Sequence, residues 1–316
     1  MSKKRRERVQ EKQAKKVLQR NFIYGAVLVI GLAIIGGLYW INANGGLGGA
    51  TFRDIHGMSY TMDGELYVAT HDGLRIYDGS WSAPDIPIND YMGYSGTEDG
   101  FYSSGHPGEG SNLVNPIGLV RSTNFGETIQ TIDFAGETDF HVMGASYSNT
   151  DIVYVFNPAR NSRLSAGFHF TLDGGQTWQA ASAIGLTGQP FAVAVHPTQE
   201  NIVAVATGNG GTYLSNDYGQ TFSQISGAPV TAVSFATHDD NILYFGYQSL
   251  SMYSLSDAAI QDFSVPELGR EEAIVYIASD PNSGEIALAT SEWEVYLWDG
   301  NSGSQWRQVA GDNTSA

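Results

Sequence analysis

Short apolar runs separated by turn-forming residues recur along most of the chain. Residues 191–195 alternate as a first strand that ends at His196 and Pro197. Residues 202–207, 211–215 and 220–225 follow as a second, third and fourth strand. The same four-strand pattern fits 55–83, 91–132, 140–181, 230–266 and 271–309. Six such units in succession predict an all-β fold, a six-bladed β-propeller in which radial repetition protects the sheet edges. Composition agrees: 38 glycines and 12% aromatic residues favour turns and strands over helices.

One segment breaks the pattern. Residues 22–41 form an uncharged, almost wholly apolar run of 20 residues. As a helix, at a rise of about 1.5 Å per residue, it matches the hydrocarbon thickness of a bilayer. Tyr24, Tyr39 and Trp40 stand near its ends, where amphipathic rings prefer the interface. Before it, residues 1–20 hold nine basic and two acidic residues, a net charge of +7. The rest holds seven arginines, no lysine and 31 acids, a net charge of −24. This asymmetry predicts a single-pass membrane anchor with a cytoplasmic N-terminus and an extracytoplasmic propeller. A signal peptide cleaved near 48–50 is the competing reading, and it also puts residues 51–316 outside the cytoplasm. The expected layout is a basic segment at 1–20, a transmembrane helix at 21–42, a Gly-rich linker at 43–50, the propeller at 51–310 and a tail at 311–316. The acidic exterior excludes nucleic acid as a partner.

Within the strand pattern lies a repeated turn. Residues 171–178 read TLDGGQTW, 215–222 read SNDYGQTF, and 122–129 read STNFGETI, a weaker copy. Asp173, Asp217 and Asn124 are expected to accept hydrogen bonds from turn amides, while Gly175, Gly219 and Gly126 supply a positive φ. Trp178 and Phe222 then bury between sheets. The spacing and residues resemble the Asp-box, or bacterial-neuraminidase-repeat, propellers. The ATHDGL, SGHP and DFH segments look most like membrane-anchored bacterial members labelled glycosyl hydrolase or sortilin-like. The resemblance implies fold, and fold does not imply function.

Chemistry is sparse. Without cysteine the chain has no thiolate nucleophile, disulfide or cysteine-ligated metal. No Ser-His-Asp elbow, phosphate loop or dinucleotide fingerprint appears. A sialidase, as the resemblance would have it, needs an arginine triad whose first member lies in a Phe-Arg-Ile-Pro motif. Arg53 lacks that proline, and the other arginines are scattered. A glycosidase for neutral glycans needs two carboxylates, for which Asp54, Asp90, Asp139, Glu271 and Glu272 are candidates.

Register brings up a histidine cluster. The inner strands of units one to three are expected to begin at Asp54-Ile55-His56, Asp90-Tyr91-Met92 and Asp139-Phe140-His141. The second strands of units one and two are expected to end at His71 and His106. Antiparallel pairing then gathers His56, His71, His106 and His141 on one rim of the central channel, with Met92 in the matching slot. These are candidate ligands for a transition metal, copper or zinc, with Asp54, Asp90 and Asp139 orienting the rings from behind. The expected function is an extracytoplasmic binding or assembly module for an envelope protein or glycan ligand. The alternative is a glycoside hydrolase for neutral glycans.

Overall fold

A computed structural model describes residues 50–300 and 305–311. The basic segment, the apolar run and most of the linker expected at 1–49 lie outside the described residues. Among the described residues there is no α-helix, and none therefore long and apolar enough to cross a membrane.

Six four-stranded antiparallel sheets follow one another. Blade 1 is Ile55–Tyr60, Leu66–Thr70, Gly73–Tyr77 and Trp81–Ser82. Blade 2 is Ser95–Thr97, Gly100–Ser103, Leu119–Ser122 and Gln130–Asp133. Blade 3 is Met143–Ala145, Val153–Asn157, Gly167–Thr171 and Gln179–Ala180. Blade 4 is Pro190–Val195, Val203–Thr207, Gly211–Ser215 and Ser223–Ser226. Blade 5 is Ala232–Phe235, Ile242–Gly246, Leu250–Ser254 and Ile260–Phe263. Blade 6 is Ile274–Ser279, Ile286–Thr290, Val295–Trp298 and Arg307–Ala310. The first strand of each blade touches the first strands of the blades on either side, and blade 6 returns to blade 1.

Burial explains the sequence pattern. The second strands LYVAT, VAVAT and IALAT are buried along their whole length, because a neighbouring blade covers each face. One apolar cluster fills each seam between blades. At the closing seam, Ile55, Met58, Leu66 and Val68 pack on Ala287, Val295, Leu297 and Val309. Polar contacts lock the same seam: Trp81 Nε1 donates to the Val309 carbonyl at 2.6 Å, and Tyr60 donates to Glu285 at 2.8 Å. Ala50 adds a parallel bridge to Ala310.

The repeated turn links third and fourth strands, at the end of the propeller opposite the inner-strand starts. Thr177 N donates to Asp173 Oδ1 at 2.8 Å, Thr221 N to Asp217 Oδ1 at 2.9 Å, and Thr128 N to Asn124 Oδ1 at 3.0 Å. The Thr177 hydroxyl also bonds Asp173 and is the main reason its carboxyl is held down, at about 2. Gly126, Gly175 and Gly219 have φ of 100°, 93° and 77°, as a left-handed turn requires. Phe222 is buried, and Trp178 is partly buried against Phe134.

The Ser or Thr that opens the turn has a role that the sequence reading left unassigned. Thr171 Oγ1 accepts the buried Gly175 N–H at 2.9 Å, and Ser215 Oγ the Gly219 N–H at 2.9 Å. The acidic side chain therefore serves the exposed part of the turn and the hydroxyl the buried part. Thr171→Val keeps the shape and orphans a buried amide, so it should cost about 1–3 kcal/mol in denaturant unfolding. A cost below that of Asp173→Ala would show that the carboxylate carries the turn instead.

Two inner strands begin later than the sequence pattern predicts. In blade 2 the inner strand is Ser95–Thr97, and Asp90 belongs to a separate two-stranded ladder, Asn89–Asp90 with His106–Pro107. His106 consequently does not end the second strand, which stops at Ser103. In blade 3 the inner strand begins at Met143, so Asp139 and His141 lie in the loop before it. In blade 2 the cause is an insertion between the second and third strands. It folds back on the approach to the inner strand and takes over the pairing that the strand would have made.

Candidate functional site

The inner strands surround a cavity of about 400 Å³. His56 and His141 line it beside Tyr94 and Ser95, and Phe191, Val193, Val233 and Val275 form much of the remaining wall. No Asp, Glu, Lys or Arg is among the lining residues, although residues 51–316 carry 31 acids.

Three residues are aimed at the channel by the same device. Pairing in blade 1 skips from Ile55 to Gly57, leaving His56 as the extra residue of a bulge. Blades 4 and 6 skip Phe191 and Val275 in the same way. A bulge turns one side chain out of the alternating pattern, so a residue in the second position of the strand can face the channel.

The rim histidines form two groups, each around one carboxylate. His56 Nε2 stands 3.0 Å from Asp90 Oδ1, and His71 Nδ1 2.9 Å from Asp90 Oδ2. His141 Nε2 stands 2.8 Å and His106 Nε2 3.3 Å from Asp139 Oδ2. His106 Nδ1 bonds Asn115 Oδ1 at 2.7 Å. The ladder joins the groups, because Asp90 lies directly opposite His106. The hydrogen bond with Asp139 is the main cause that raises the His141 imidazole above its ordinary value. His56 is buried at 8% exposure, whereas the side chains of His71, His106 and His141 are about half exposed, at 49%, 46% and 59%.

Asp90 and Asp139 thus sit between the rings and not behind them. Asp54 is at 3.9 Å from His56 Nδ1 and has a φ of 62°. Met92 contributes its carbonyl, which accepts Ser104 N at 3.0 Å and the Ser103 hydroxyl at 2.9 Å. Of the other carboxylate candidates, Glu271 is exposed, and buried Glu272 accepts the Gly269 amide at 2.7 Å away from the channel lining. Asn115 was missed by sequence reasoning, since nothing in its neighbourhood repeats. Of the remaining three histidines, His238 is exposed and the other two are tied up in packing. His196 Nδ1 accepts Gln199 N at 3.0 Å, and burial lowers its imidazole. His169 is lowered by burial as well.

Close backbone approaches hold this arrangement. At Gly105, φ is 123° and a Cβ would stand 2.0 Å from the Asp90 carbonyl. At Gly93, φ is 55° and a Cβ would stand 1.9 Å from the Phe140 carbonyl. Phe140 N donates to Ser104 Oγ at 2.9 Å. Asp90, Asp139 and the inserted segment are therefore fixed to one another through backbone contacts.

No protein-family model and no curated protein matches the chain. Solved structures do. A GH74 xyloglucanase from Xanthomonas campestris aligns at a TM-score of 0.53 and 16% identity, over 83% of this chain and 45% of its own. A GH74 enzyme from Niastella koreensis aligns at 0.55 and 15%, over 84% of this chain and 46% of its own. The chain thus spans less than half the length of these enzymes. YCF48 bound to D1 peptide aligns at 0.47 and 14%, over 82% of both chains, too remote to carry an argument. At such identities, the likeness to the two GH74 structures is one of fold alone: this chain is a six-bladed β-propeller.

Proposed function

We propose that this chain is a membrane-anchored, extracytoplasmic propeller of the Asp-box class that works as a binding or assembly module. Its binding surface is the channel mouth ringed by His56, His71, His106 and His141. The observation that supports this best is the lining of the cavity, which has no carboxylate. A glycoside hydrolase needs a proton-donating carboxyl and a second carboxylate flanking the same bond. Of the acids beside the rim histidines, Asp90 and Asp139 are each shared between two imidazoles, and Asp54 stands 3.9 Å from His56. Charge and span support the anchor: +7 over residues 1–20 precedes an uncharged 20-residue run. The natural ligand is an envelope protein or a glycan, and the net charge of −24 over the rest disfavours nucleic acid.

Hydrolysis of neutral glycans is the competing reading, and it rests on fold likeness to GH74 enzymes. Purified full-length protein incubated with xyloglucan oligosaccharides should release no new reducing ends. Turnover that disappears in Asp90→Asn or Asp139→Asn would overturn the binding reading. In cells, a photo-crosslinking residue at exposed Phe191 on the mouth should give a discrete adduct, and one at exposed Thr177 on the opposite face should not. Equal labelling at both positions would show that the mouth is not the binding surface.

A further inference from the structure

We infer that His56, His71 and Asp90 bind one divalent transition-metal ion at the channel mouth, while the neighbouring trio His106, Asp139 and His141 does not. The inference rests on the reading of the mouth as the binding surface and names one ligand of that surface.

The first observation is proximity. One ligand atom from each of His56, His71 and Asp90 lies within 4.8 Å of the others, a spacing reached by no other group of three such side chains among the described residues. Two ligand atoms about 2.0–2.1 Å from a tetrahedral ion stand ~3.3 Å apart. His56 Nε2 stands 3.0 Å from Asp90 Oδ1, and His71 Nδ1 is hydrogen-bonded to Asp90 Oδ2 at 2.9 Å, both a little under that edge length, so an ion would take the place of the proton shared by His71 and Asp90.

The second observation is independent of spacing. His56 Nε2 and Asp90 Oδ1 are both buried, and neither has a hydrogen-bond partner in spite of their 3.0 Å separation. A ring N–H aimed at the carboxylate would satisfy both atoms. Here the ring and the oxygen are misaligned for that bond. Leaving two such buried atoms unpaired is costly. An ion accepting a lone pair from each removes that cost without any change in backbone.

Asp139 Oδ1 is also buried without a hydrogen-bond partner, so what separates the two trios is the spacing and the placing of the rings on the carboxylate. His106 and His141 both approach one oxygen of Asp139, and their ring nitrogens do not close with it into a group of three. His56 and His71 instead approach different oxygens of Asp90, so the carboxylate can chelate an ion between the rings. The donor set is two imidazoles and a carboxylate, with no sulfur. Such a set suits zinc(II) or copper(II) and gives no preference for copper(I). The acidic exterior attracts a divalent cation towards the mouth.

Purified full-length protein, dialysed after exposure to zinc sulfate or copper sulfate, tests this. It should retain one equivalent of at least one of the two ions and melt at a higher temperature with that ion than without it. His71 is about half exposed, so His71→Ala should fold and should weaken binding about 100-fold or more. His106→Ala and His141→Ala should each change affinity less than about 3-fold. Asp90→Asn, which keeps the side-chain shape, should lose the ion as His71→Ala does. Retention of neither ion overturns the inference, and so does equal loss in His106→Ala and His71→Ala. A metal-free protein that still crosslinks at Phe191 and not at Thr177 would sink the metal site alone and leave the binding reading standing.

Discussion

Phe140→Ala should destabilise the propeller by about 3–5 kcal/mol. Phe140 is fully buried at the seam between blades 2 and 3, and its ring meets Phe134 edge-on at 5.5 Å. Removing the ring leaves a cavity that the seam cannot close, because Leu119, Val153 and Tyr102 around it belong to paired strands. For a propeller of this size, such a loss should lower the melting temperature by on the order of 10 °C. Ile260, on the outermost strand of blade 5 and 47% exposed, provides the control. Ile260→Ala should shift stability by less than about 1 kcal/mol. Similar losses in both variants, measured by denaturant titration, would show that the seam is not the stabilising core. The substitution also bears on the rim, since Phe140 lies between Asp139 and His141 in the chain.

Gly105→Ala should be almost as damaging, for a different reason. The residue sits at φ 123°, where L side chains are strained, and its added methyl would stand 2.0 Å from the Asp90 carbonyl and 2.8 Å from Met92 N. Overpacking typically costs about 1–3 kcal/mol and the backbone strain about 1–3 kcal/mol more, so a total of about 3 kcal/mol is expected. Backbone cannot swing aside as a long side chain can, so the ladder that carries Asp90 and His106 must shift. Gly110→Ala is the matched control: φ is 81°, but nothing lies within 4 Å of the added methyl. It should cost no more than about 1–2 kcal/mol. If Gly105→Ala proves no worse than Gly110→Ala in thermal unfolding, the ladder is looser than its close contact implies. Where Gly105→Ala remains folded, it should also weaken the proposed metal binding, because Asp90 would supply a ligand.

The two variants show where local information stops. Blade number was legible in the chain because strand alternation and turn chemistry act over a few residues. The three repeated turns were legible for the same reason. Asp173, Thr177 and Gly175 are neighbours in sequence, and their bonds close within five residues. Even there, the division of labour between Thr171 and Asp173 was hidden, since it depends on which turn amide is covered by the adjacent blade.

At the rim, the sequence by itself determined which residue types would meet. His56 and His71 come together because the start of one strand and the end of the next are antiparallel neighbours. The tertiary structure decided how they meet. The bulge that turns His56 into the channel shows in the sequence only as a spacing of three between the core residues Ile55 and Met58, against two between Met58 and Tyr60, too short a break to be read without the partner strand. The blade 2 insertion captures Asp90 through contacts between residues 15 or more apart in sequence, among them Asp90 with His106. The sorting of four histidines onto two carboxylates follows from that capture. So does the absence of any carboxylate from the channel wall, since the acids at the rim are turned to the imidazoles. Periodicity constrains neighbours along a strand; which side chains face one another across blades is fixed only when the ring closes and backbone meets backbone.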